Sequence, residues 1–240
     1  MDYRYSAIVL KKREAGETDR FYTFYTREAG KIQAIAKGVR KSEAKLASSL
    51  ETFSEVDLMV VRTRGIGKVA GAVIEESFAA LRQDYIHLSN ILEVIHVFDG
   101  LVDLEERDEI LYQKLRWFLQ LSDAWIRLGR NDRVALLSEA FLFQLFAHLG
   151  YQLELGSCTF SGIKLTPGKR HILSPSAGGV ISHEHAQGVR DGLAVSENII
   201  KLLRLFATQS LEKFEKLTVS AHDLGELIRF RKIFFQWIRR

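Results

Sequence analysis

The chain has 240 residues, of which 47% are hydrophobic and 27% charged, a composition that excludes a disordered protein and allows one large domain or two smaller ones. Its single cysteine excludes a disulfide framework and is typical of a reducing compartment, so we expect a cytoplasmic protein. The net charge of +4 is uneven, with +3 in residues 1–80, −4 in residues 81–153 and +5 in residues 154–240, which permits a polyanionic partner.

Residues 1–78 show the alternation that is typical of β-strands. Five segments are rich in β-branched and aromatic residues: 5–13, 20–27, 31–37, 54–62 and 68–75. Gly30 lies in the turn after the second segment, where a positive φ is needed. With no internal helix and one longer basic loop, the pattern predicts a five-stranded OB-type β-barrel. An SH3-like barrel is the alternative that periodicity leaves open.

From about residue 79 the apolar residues recur at helical spacing. We predict helices at residues 81–102, 107–128, 132–151, 196–208, 210–217 and 222–240. Residues 156–192 are dominated by glycines and turn residues, so we expect an irregular insertion there. Polar residues interrupt the most apolar stretch, 134–150, which therefore predicts a core helix and no membrane span. The whole pattern predicts an α+β protein, with the barrel at 1–78 and an all-α domain at 79–240.

Basic residues concentrate on the strand ends and loops of the predicted barrel, where they can follow a phosphate backbone. We predict that DNA contacts Lys11, Lys12, Arg13, Lys37, Arg40, Lys41, Lys45, Arg62, Arg64 and Lys68. Alternation on the second strand puts Tyr22 and Phe24 on one face, with Phe21 and Tyr25 on the other. One pair is expected to fill the barrel, and the other is available to stack on bases. By themselves, such charges and aromatics are more typical of solvated faces and cores.

Sequence motifs for catalysis are absent. No G-x-x-x-x-G-K-[ST] phosphate loop occurs, and the glycines Gly65 and Gly67 precede a predicted strand instead of the helix that dinucleotide binding needs. The acidic run at 103–109 lies at the start of one predicted helix, whereas two-metal sites need carboxylates from separate elements. We therefore expect no enzyme and no cofactor.

Residues 16–58, GETDRFYTFYTREAGKIQAIAKGVRKSEAKLASSLETFSEVDL, closely resemble the N-terminal domain of the RecO family of bacterial recombination mediators. The landmarks are the ETD after the first strand, the T-R-E-x-G-K turn, the A-K-G-x-R-K loop and the LETF before the fourth strand. A second match is HLGYQLELGSC at 148–158, followed by SPSAGGVIS at 174–182. The order and spacing of these motifs cover most of the chain.

The resemblance implies a non-catalytic protein of the nucleoid that binds single- and double-stranded DNA and anneals complementary strands. It also implies contact with RecR, docking on the acidic, apolar C-terminal tail of the single-stranded-DNA-binding protein, and indirect help in loading RecA. No membrane partner is expected. For the tail we predict a rim of Arg127, Arg130 and Arg133, which lie together at the entry to the most apolar predicted helix.

One departure concerns zinc. Many members of the family that this chain resembles carry a four-cysteine zinc site, and the matching positions here are Cys158, Ser161, Ser182 and His185. Serine is not a ligand of structural zinc, so we expect a degenerate zinc-finger-like insertion and no metal. A Cys-His-His arrangement that recruits His171 or His183 stays open. Two rival functions are a metal-dependent enzyme built on Cys158, His171, His183 and His185, and an OB-fold protein that binds structured RNA.

Overall fold

The computed structural model describes residues 2–40, 45–62 and 65–240, with the side chain of Lys45 excepted. The chain forms two compact units, Met1–Arg130 and Asn131–Arg240. Within the described part of the chain, no helix combines the length and the apolar character that crossing a membrane requires.

Five strands close into a barrel in the first unit. They are β1 (Asp2–Ala15), β2 (Asp19–Thr26), β3 (Gly30–Ala36), β4 (Glu55–Val61) and β5 (Gly67–Glu76). The order around the barrel is β1-β2-β3-β5-β4, and β4 pairs back onto β1. β3 and β5 run parallel, while the other neighbouring strands run antiparallel. This order is that of the OB fold, so the predicted OB-type barrel is confirmed and the SH3-like alternative is wrong.

Strand β1 closes the barrel because it pairs along both of its edges. Ala7 lies opposite Thr26 of β2 and also opposite Val56 of β4. A bulge between Val9 and Lys11 shifts the register, which bends the strand and reverses the face on which each side chain lies. The apolar first half of β1 therefore faces the interior at alternate residues, and its basic end turns lysine and arginine outward.

Alternate residues of all five strands fill the interior. The buried cluster includes Ala7, Val9, Tyr22, Phe24, Ile32, Ala34, Val56, Leu58, Val60 and Val69. Inside it, the rings of Tyr22 and Phe24 stack with centroids 5.7 Å apart. This aromatic pair of β2 therefore belongs to the core, which leaves Phe21 and Tyr25 on the outer face.

The expectation of a barrel with no internal helix is wrong. A short helix, α1 (Lys45–Ser49), lies between β3 and β4. Leu46 and Ala47 pack against the barrel core, and Leu50 just after the helix is fully buried. These apolar positions recur at helical spacing, a signal that the surrounding basic and polar residues obscured.

Two longer helices complete the first unit, α2 (Tyr85–Leu101) and α3 (Glu109–Arg127). α2 begins later than predicted because residues 79–82 form a 3-10 turn and Asp84 then caps the helix, accepting a hydrogen bond from Ile86 N at 2.8 Å. The predicted domain division after residue 78 stays a prediction. The change from strand to helix near residue 78 and the compact unit that ends at Arg130 are different kinds of boundary.

The second unit is built around α4 (Asn131–His148), α5 (Glu197–Thr208) and α6 (Ala221–Ile238), with a 3-10 turn at Leu211–Lys216. Phenylalanines from these elements pack ring against ring, as where Phe143 stacks on Phe206 and Phe230. One buried ion pair crosses this core, with Arg231 Nε of α6 lying 3.2 Å from Glu139 Oε1 of α4. Each side chain of the pair is at most 4% exposed, so each buried charge is compensated by the other.

The stretch expected to be irregular contains a small sheet. Its strands are β6 (His171–Ser174), β7 (Gly179–Ile181) and β8 (Leu193–Val195), in the order β7-β6-β8. Gly179 also bridges to Glu154, and a Cβ at residue 179 would lie 2.2 Å from the carbonyl oxygen of Glu154. A glycine is therefore required here, because the two backbone segments approach closely. In the sequence, this glycine indicated only a loop.

Candidate nucleic-acid interface

A continuous row of four side chains crosses the outer face of the barrel. Arg13 of β1 lies opposite Phe21 of β2, Phe21 opposite Ile35 of β3, and Ile35 opposite Lys68 of β5. Residues directly opposite in neighbouring strands share one face, so these four form a single surface, named here the open row. Arg13 and Lys68 are exposed, whereas Phe21 and Ile35 are half-buried.

Arg13 and Phe21 form a paired platform at one end of the open row. The guanidinium carbon of Arg13 lies over the Phe21 ring, 4.9 Å from its centroid. This is a cation–π contact, in which a positive charge lies against the aromatic ring. The arrangement suits a nucleotide, because a base can stack on the ring while its phosphate meets the cation.

Helix α2 covers the other end of the same outer face. Tyr25 of β2 is buried there, with its ring 4.8 Å from that of Phe98 in edge-to-face contact. Burial raises the pKa of Tyr25 above its usual value. Lys11 Nζ lies 2.5 Å from Asp99 Oδ2, and Lys31 Nζ donates to the backbone carbonyl of Asp99 at 2.8 Å. At this covered end both aromatic rings are buried in the core of the first unit, and Lys11 is engaged by Asp99.

The basic loop after β3 is anchored beside the open row. Asp19 accepts a hydrogen bond from Gly38 N at 2.7 Å, and Arg40 N donates to Thr18 O at 3.0 Å. The Arg40 side chain points to Glu14, with Nη1 3.3 Å from its Oε1. Lys37, two residues beyond Ile35 on the outer side of β3, is exposed. The loop therefore brings one more cation to the edge of the open row.

The ten predicted DNA contacts divide into three groups. Four are paired with carboxylates: Lys11 with Asp99, Lys12 with Glu51 at 2.8 Å, Arg40 with Glu14, and Arg62 with Glu105. Three have no carboxylate partner among the residues that the structure describes: Arg13, Lys37 and Lys68. Lys41, Arg64 and the side chain of Lys45 lie outside the described residues.

Arg62 differs from the other paired cations by its position at the end of β4, next to the β4–β5 loop. Its hydrogen bond to Glu105 raises the pKa of the guanidinium above its usual value. Both side chains are about half exposed, so solvent screens the pair. Glu105 is more exposed than Asp99, the partner of Lys11, so water screens the Arg62 pair more strongly than the Lys11 pair.

Ile35 is the interface residue that sequence reasoning missed. In KIQAIAK its neighbours Ile32, Ala34 and Ala36 follow the inward alternation, and Ile35 falls on the outward side. The available signal was a large apolar residue at an outward position, where the neighbouring outward positions are polar. Ile35 matters because it extends the apolar surface of Phe21 toward Lys68.

The three arginines predicted to form a rim do not belong to one unit. Arg127 and Arg130 lie in the first unit and Arg133 in the second. Arg127 Nε is 2.6 Å from Asp123 Oδ2, and Asp123 also accepts from Ala80 N. Arg133 contacts Asp132, Thr218 and the carbonyl of Leu217. Both side chains are thus engaged in local contacts of their own unit.

The four positions that the family resemblance assigns to zinc ligands lie around one buried sulfur. Ser182 N donates to Cys158 Sγ at 3.3 Å, and Ser182 Oγ lies 2.9 Å from His185 Nδ1. Burial raises the pKa of the Cys158 thiol, but the polar groups of Ser161 and Ser182 beside the sulfur together lower it by more, to about 6. One thiol and one imidazole do not supply the four Cys or His ligands of structural zinc, so the residues do not fit the metal.

Two other sets of possible ligands are also engaged elsewhere. Both ring nitrogens of His171 are in use, with Nε2 3.0 Å from Thr166 O and Nδ1 3.3 Å from His183 N. In the described ranges of the chain, Cys158 and His185 form no compact group of ligands with His171 or with His183, so the Cys-His-His arrangement is not supported. Among the described residues, His222, Asp223 and Glu226 form the compact group of potential ligands. Their carboxylates are occupied at the start of α6, because Glu226 binds Arg170 and Asp223 binds Ser196 and Ser220.

Comparison with known families agrees with the barrel and the helical region. Residues 1–78 match the family model described as "Recombination protein O N terminal", and residues 82–237 match "Recombination protein O C terminal". The chain belongs to the RecO family. Family membership gives the chain a general role in DNA repair and recombination, and it confirms the resemblance found in residues 16–58.

Several bacterial relatives named DNA repair protein RecO align over most of this RecO-family chain. The relative in Dehalococcoides mccartyi is 26% identical over 94% of this chain and 86% of its own length. The relative in Cutibacterium acnes is 32% identical over 75% of this chain and 72% of its own. The relative in Roseiflexus sp. is 29% identical over 93% of this chain and 76% of its own.

Proposed function

We propose that this RecO-family chain binds single-stranded DNA along the outer face of β2 and β3. In this proposal Phe21 stacks on a base, and Arg13, Lys37 and Lys68 contact phosphates. The observation that carries it is the open row, where a ring and an apolar residue lie between two cations without carboxylate partners among the described residues. OB folds bind oligonucleotides on this face and at the adjoining loops, and membership in a DNA repair family favours DNA.

In this proposal, the surface can promote strand annealing because it contacts few of the bases that it binds. Each cation that meets a phosphate releases a counterion, so capture is driven by electrostatics and weakens with salt. A single aromatic ring holds one base, and the edges of neighbouring bases stay accessible to a complementary strand. Duplex DNA meets the same cations through its phosphates, without the stacking contact. We therefore propose a non-catalytic protein that binds both forms of DNA and promotes their pairing at the nucleoid, in the cytoplasm.

The partners that the family resemblance implies are part of this proposal. They are RecR, the C-terminal tail of the single-stranded-DNA-binding protein and, indirectly, RecA during loading onto coated gaps. For the tail, Arg130 is exposed, whereas Arg127 already binds Asp123, so a tail carboxylate would compete with that ion pair. Binding of a fluorescent peptide with the sequence of that tail, to wild type and to Arg130→Ala, tests this part. Unchanged affinity in the variant would remove Arg130 from the rim.

The DNA site is tested by binding a fluorescent single-stranded oligonucleotide across a salt series. The test variant is Lys37→Ala/Lys68→Ala, which removes two cations that have no carboxylate partner in the described part of the chain. The matched control is Lys11→Ala/Lys12→Ala, which removes the same charge from two lysines paired with Asp99 and Glu51. Each lost phosphate contact lowers the slope of log affinity against log salt by about 0.7 on a single strand. We expect about twice that loss in the test variant and little change in the control.

The outcomes separate the proposal from its rivals. Equal slope losses in both variants would mean that net charge matters and the open row does not. If the control alone loses slope, the DNA path runs past Lys11 and Lys12 of β1 instead of across the open row. If neither variant loses slope, the exposed basic face of α6, with Arg229, Lys232 and Arg239, is the next candidate. Competition by RNA of equal length and sequence decides the RNA alternative, since equal competition would contradict a preference for DNA.

A further inference from the structure

Two short loops of the second unit face each other around Cys158. The first loop runs from Cys158 to Ile163 and is closed by hydrogen bonds from Cys158 N to Ile163 O at 2.9 Å and from Gly162 N to Cys158 O at 2.8 Å. The second runs from Ser182 to His185, where His185 N donates to Ser182 O at 3.0 Å. Each loop carries two of the four positions named above, at a spacing of three residues. This is the spacing of paired zinc-binding loops.

Two contacts join the two loops directly, and a third joins the first loop to β7 just before the second loop. Thr159 N donates to Val180 O at 2.8 Å, just before the second loop, and Ser182 N donates to Cys158 Sγ at 3.3 Å. The Phe160 ring lies 5.4 Å from that of His185. Within the second loop, the Ser182 hydroxyl meets His185 Nδ1 at 2.9 Å. Cys158 and Ser182 are both buried, so these polar contacts lie out of water, where they are worth most.

We propose that these hydrogen bonds hold together, without any metal, two loops that keep the arrangement of a zinc knuckle. The sulfur of Cys158 accepts the N–H of Ser182 where a metal-bound thiolate would bind a cation, and Ser182 uses its hydroxyl to fix the imidazole of His185. The second unit therefore does not depend on zinc supply, and it lacks the set of oxidisable cysteines through which such loops are unfolded by oxidants.

The proposal predicts that zinc binding can be restored by changing side chains alone. Full-length Ser161→Cys/Ser182→Cys/His185→Cys places four thiols at the four positions. We expect wild type, purified with zinc and then dialysed, to contain no stoichiometric zinc and to have the same Tm with and without EDTA. We expect the triple variant to bind one zinc per chain, measured by elemental analysis and a zinc-release dye. Its Tm should fall when EDTA is added.

A matched control separates site geometry from thiol number. Ser89→Cys/Gln113→Cys/Gln236→Cys adds three cysteines at exposed positions outside the two loops, and it should bind no stoichiometric zinc. If the triple variant binds no more zinc than this control, the loops are not arranged as a knuckle. If wild type holds one zinc per chain and loses Tm with EDTA, the metal-free part of the proposal is overturned.

A single substitution tests the hydrogen bonds even if the triple variant does not fold. Ser182→Ala keeps the N–H to the sulfur and removes the hydroxyl that meets His185. Loss of this one part-buried hydrogen bond should lower the Tm of the full chain by about 2–4 °C. His185→Ala should lower the Tm, and the double variant should lose little beyond either single one, because both break the same bond. Additive losses would show that Ser182 and His185 stabilise the loops separately.

Discussion

The two ends of the outer barrel face carry similar side chains in different surroundings. At the covered end, Tyr25 packs against Phe98 and Lys11 is paired with Asp99. At the open end, Phe21 lies under the Arg13 guanidinium and is only half-buried. Both ends combine one aromatic residue of β2 with one cation of β1. Whether that combination serves packing or is free for a ligand depends on α2, which covers only one of them.

The largest expected effect comes from removing the aromatic residue at the covered end. Tyr25→Ala deletes a fully buried ring from the contact between β2 and α2, and large-to-small aromatic substitutions in cores cost about 3–5 kcal/mol. Urea unfolding of wild type and variant measures this loss. A loss below about 1 kcal/mol, the size expected for surface changes, would mean that α2 does not hold this end closed.

A smaller loss is expected from tightening the contact next to the covered end. Gly30 has φ 66°, and a Cβ there would lie 1.8 Å from the carbonyl oxygen of Glu106, in the segment between α2 and α3. Gly30→Ala should therefore cost more than the strain of a positive φ, which is about 1–3 kcal/mol. Gly16→Ala is the control, because Gly16 has φ 79° and no atom within 4 Å of its added Cβ. Equal losses in the two variants would show that the approach of Glu106 contributes nothing.

The sequence predicts most of the barrel and only part of the candidate site. Alternation correctly separated Tyr22 and Phe24 from Phe21 and Tyr25, because side-chain period 2 is a local property of strands. It did not distinguish Phe21 from Tyr25, because their difference is made by helix α2, whose Phe98 contacts Tyr25 from more than seventy residues further along the chain. Alternation is a local signal, so it cannot show which outward residues a distant helix will bury.

Charge was the least predictable property. The lysines Lys11 and Lys12 look like Lys37 in sequence, yet Asp99 and Glu51 neutralise the first two across 88 and 39 residues. Arg231 gave no signal of its buried partner Glu139, which lies in the apolar core helix α4, 92 residues away in sequence. Long-range pairing of opposite charges is a tertiary property, so a run of basic residues predicts a phosphate site only where such carboxylates are missing.

Removing the ring at the open end should change binding instead of stability. Phe21 is half-buried and lies under a flexible arginine, so Phe21→Ala should leave the unfolding midpoint nearly unchanged. Loss of one stacked base costs about 1–3 kcal/mol of single-strand affinity. The salt slope should stay the same, because no phosphate contact is removed. Phe21→Trp keeps a stacking surface and should retain affinity; an equal loss in Trp and Ala variants would contradict stacking.

The smallest expected effect separates the charge of Arg13 from its shape. Arg13→Lys keeps a positive charge at the end of β1 but removes the planar guanidinium that lies 4.9 Å from the Phe21 centroid. If that plane orders the ring for a base, single-strand affinity should fall about two- to fivefold with an unchanged salt slope. Arg13→Gln should in addition flatten the slope by about 0.7, because a phosphate contact is lost. If Arg13→Lys matches wild type while Arg13→Gln loses slope, Arg13 acts through its charge alone. The two ends of the outer face then differ only in the partner of the cation, which is a phosphate at the open end and the carboxylate of Asp99 at the covered end.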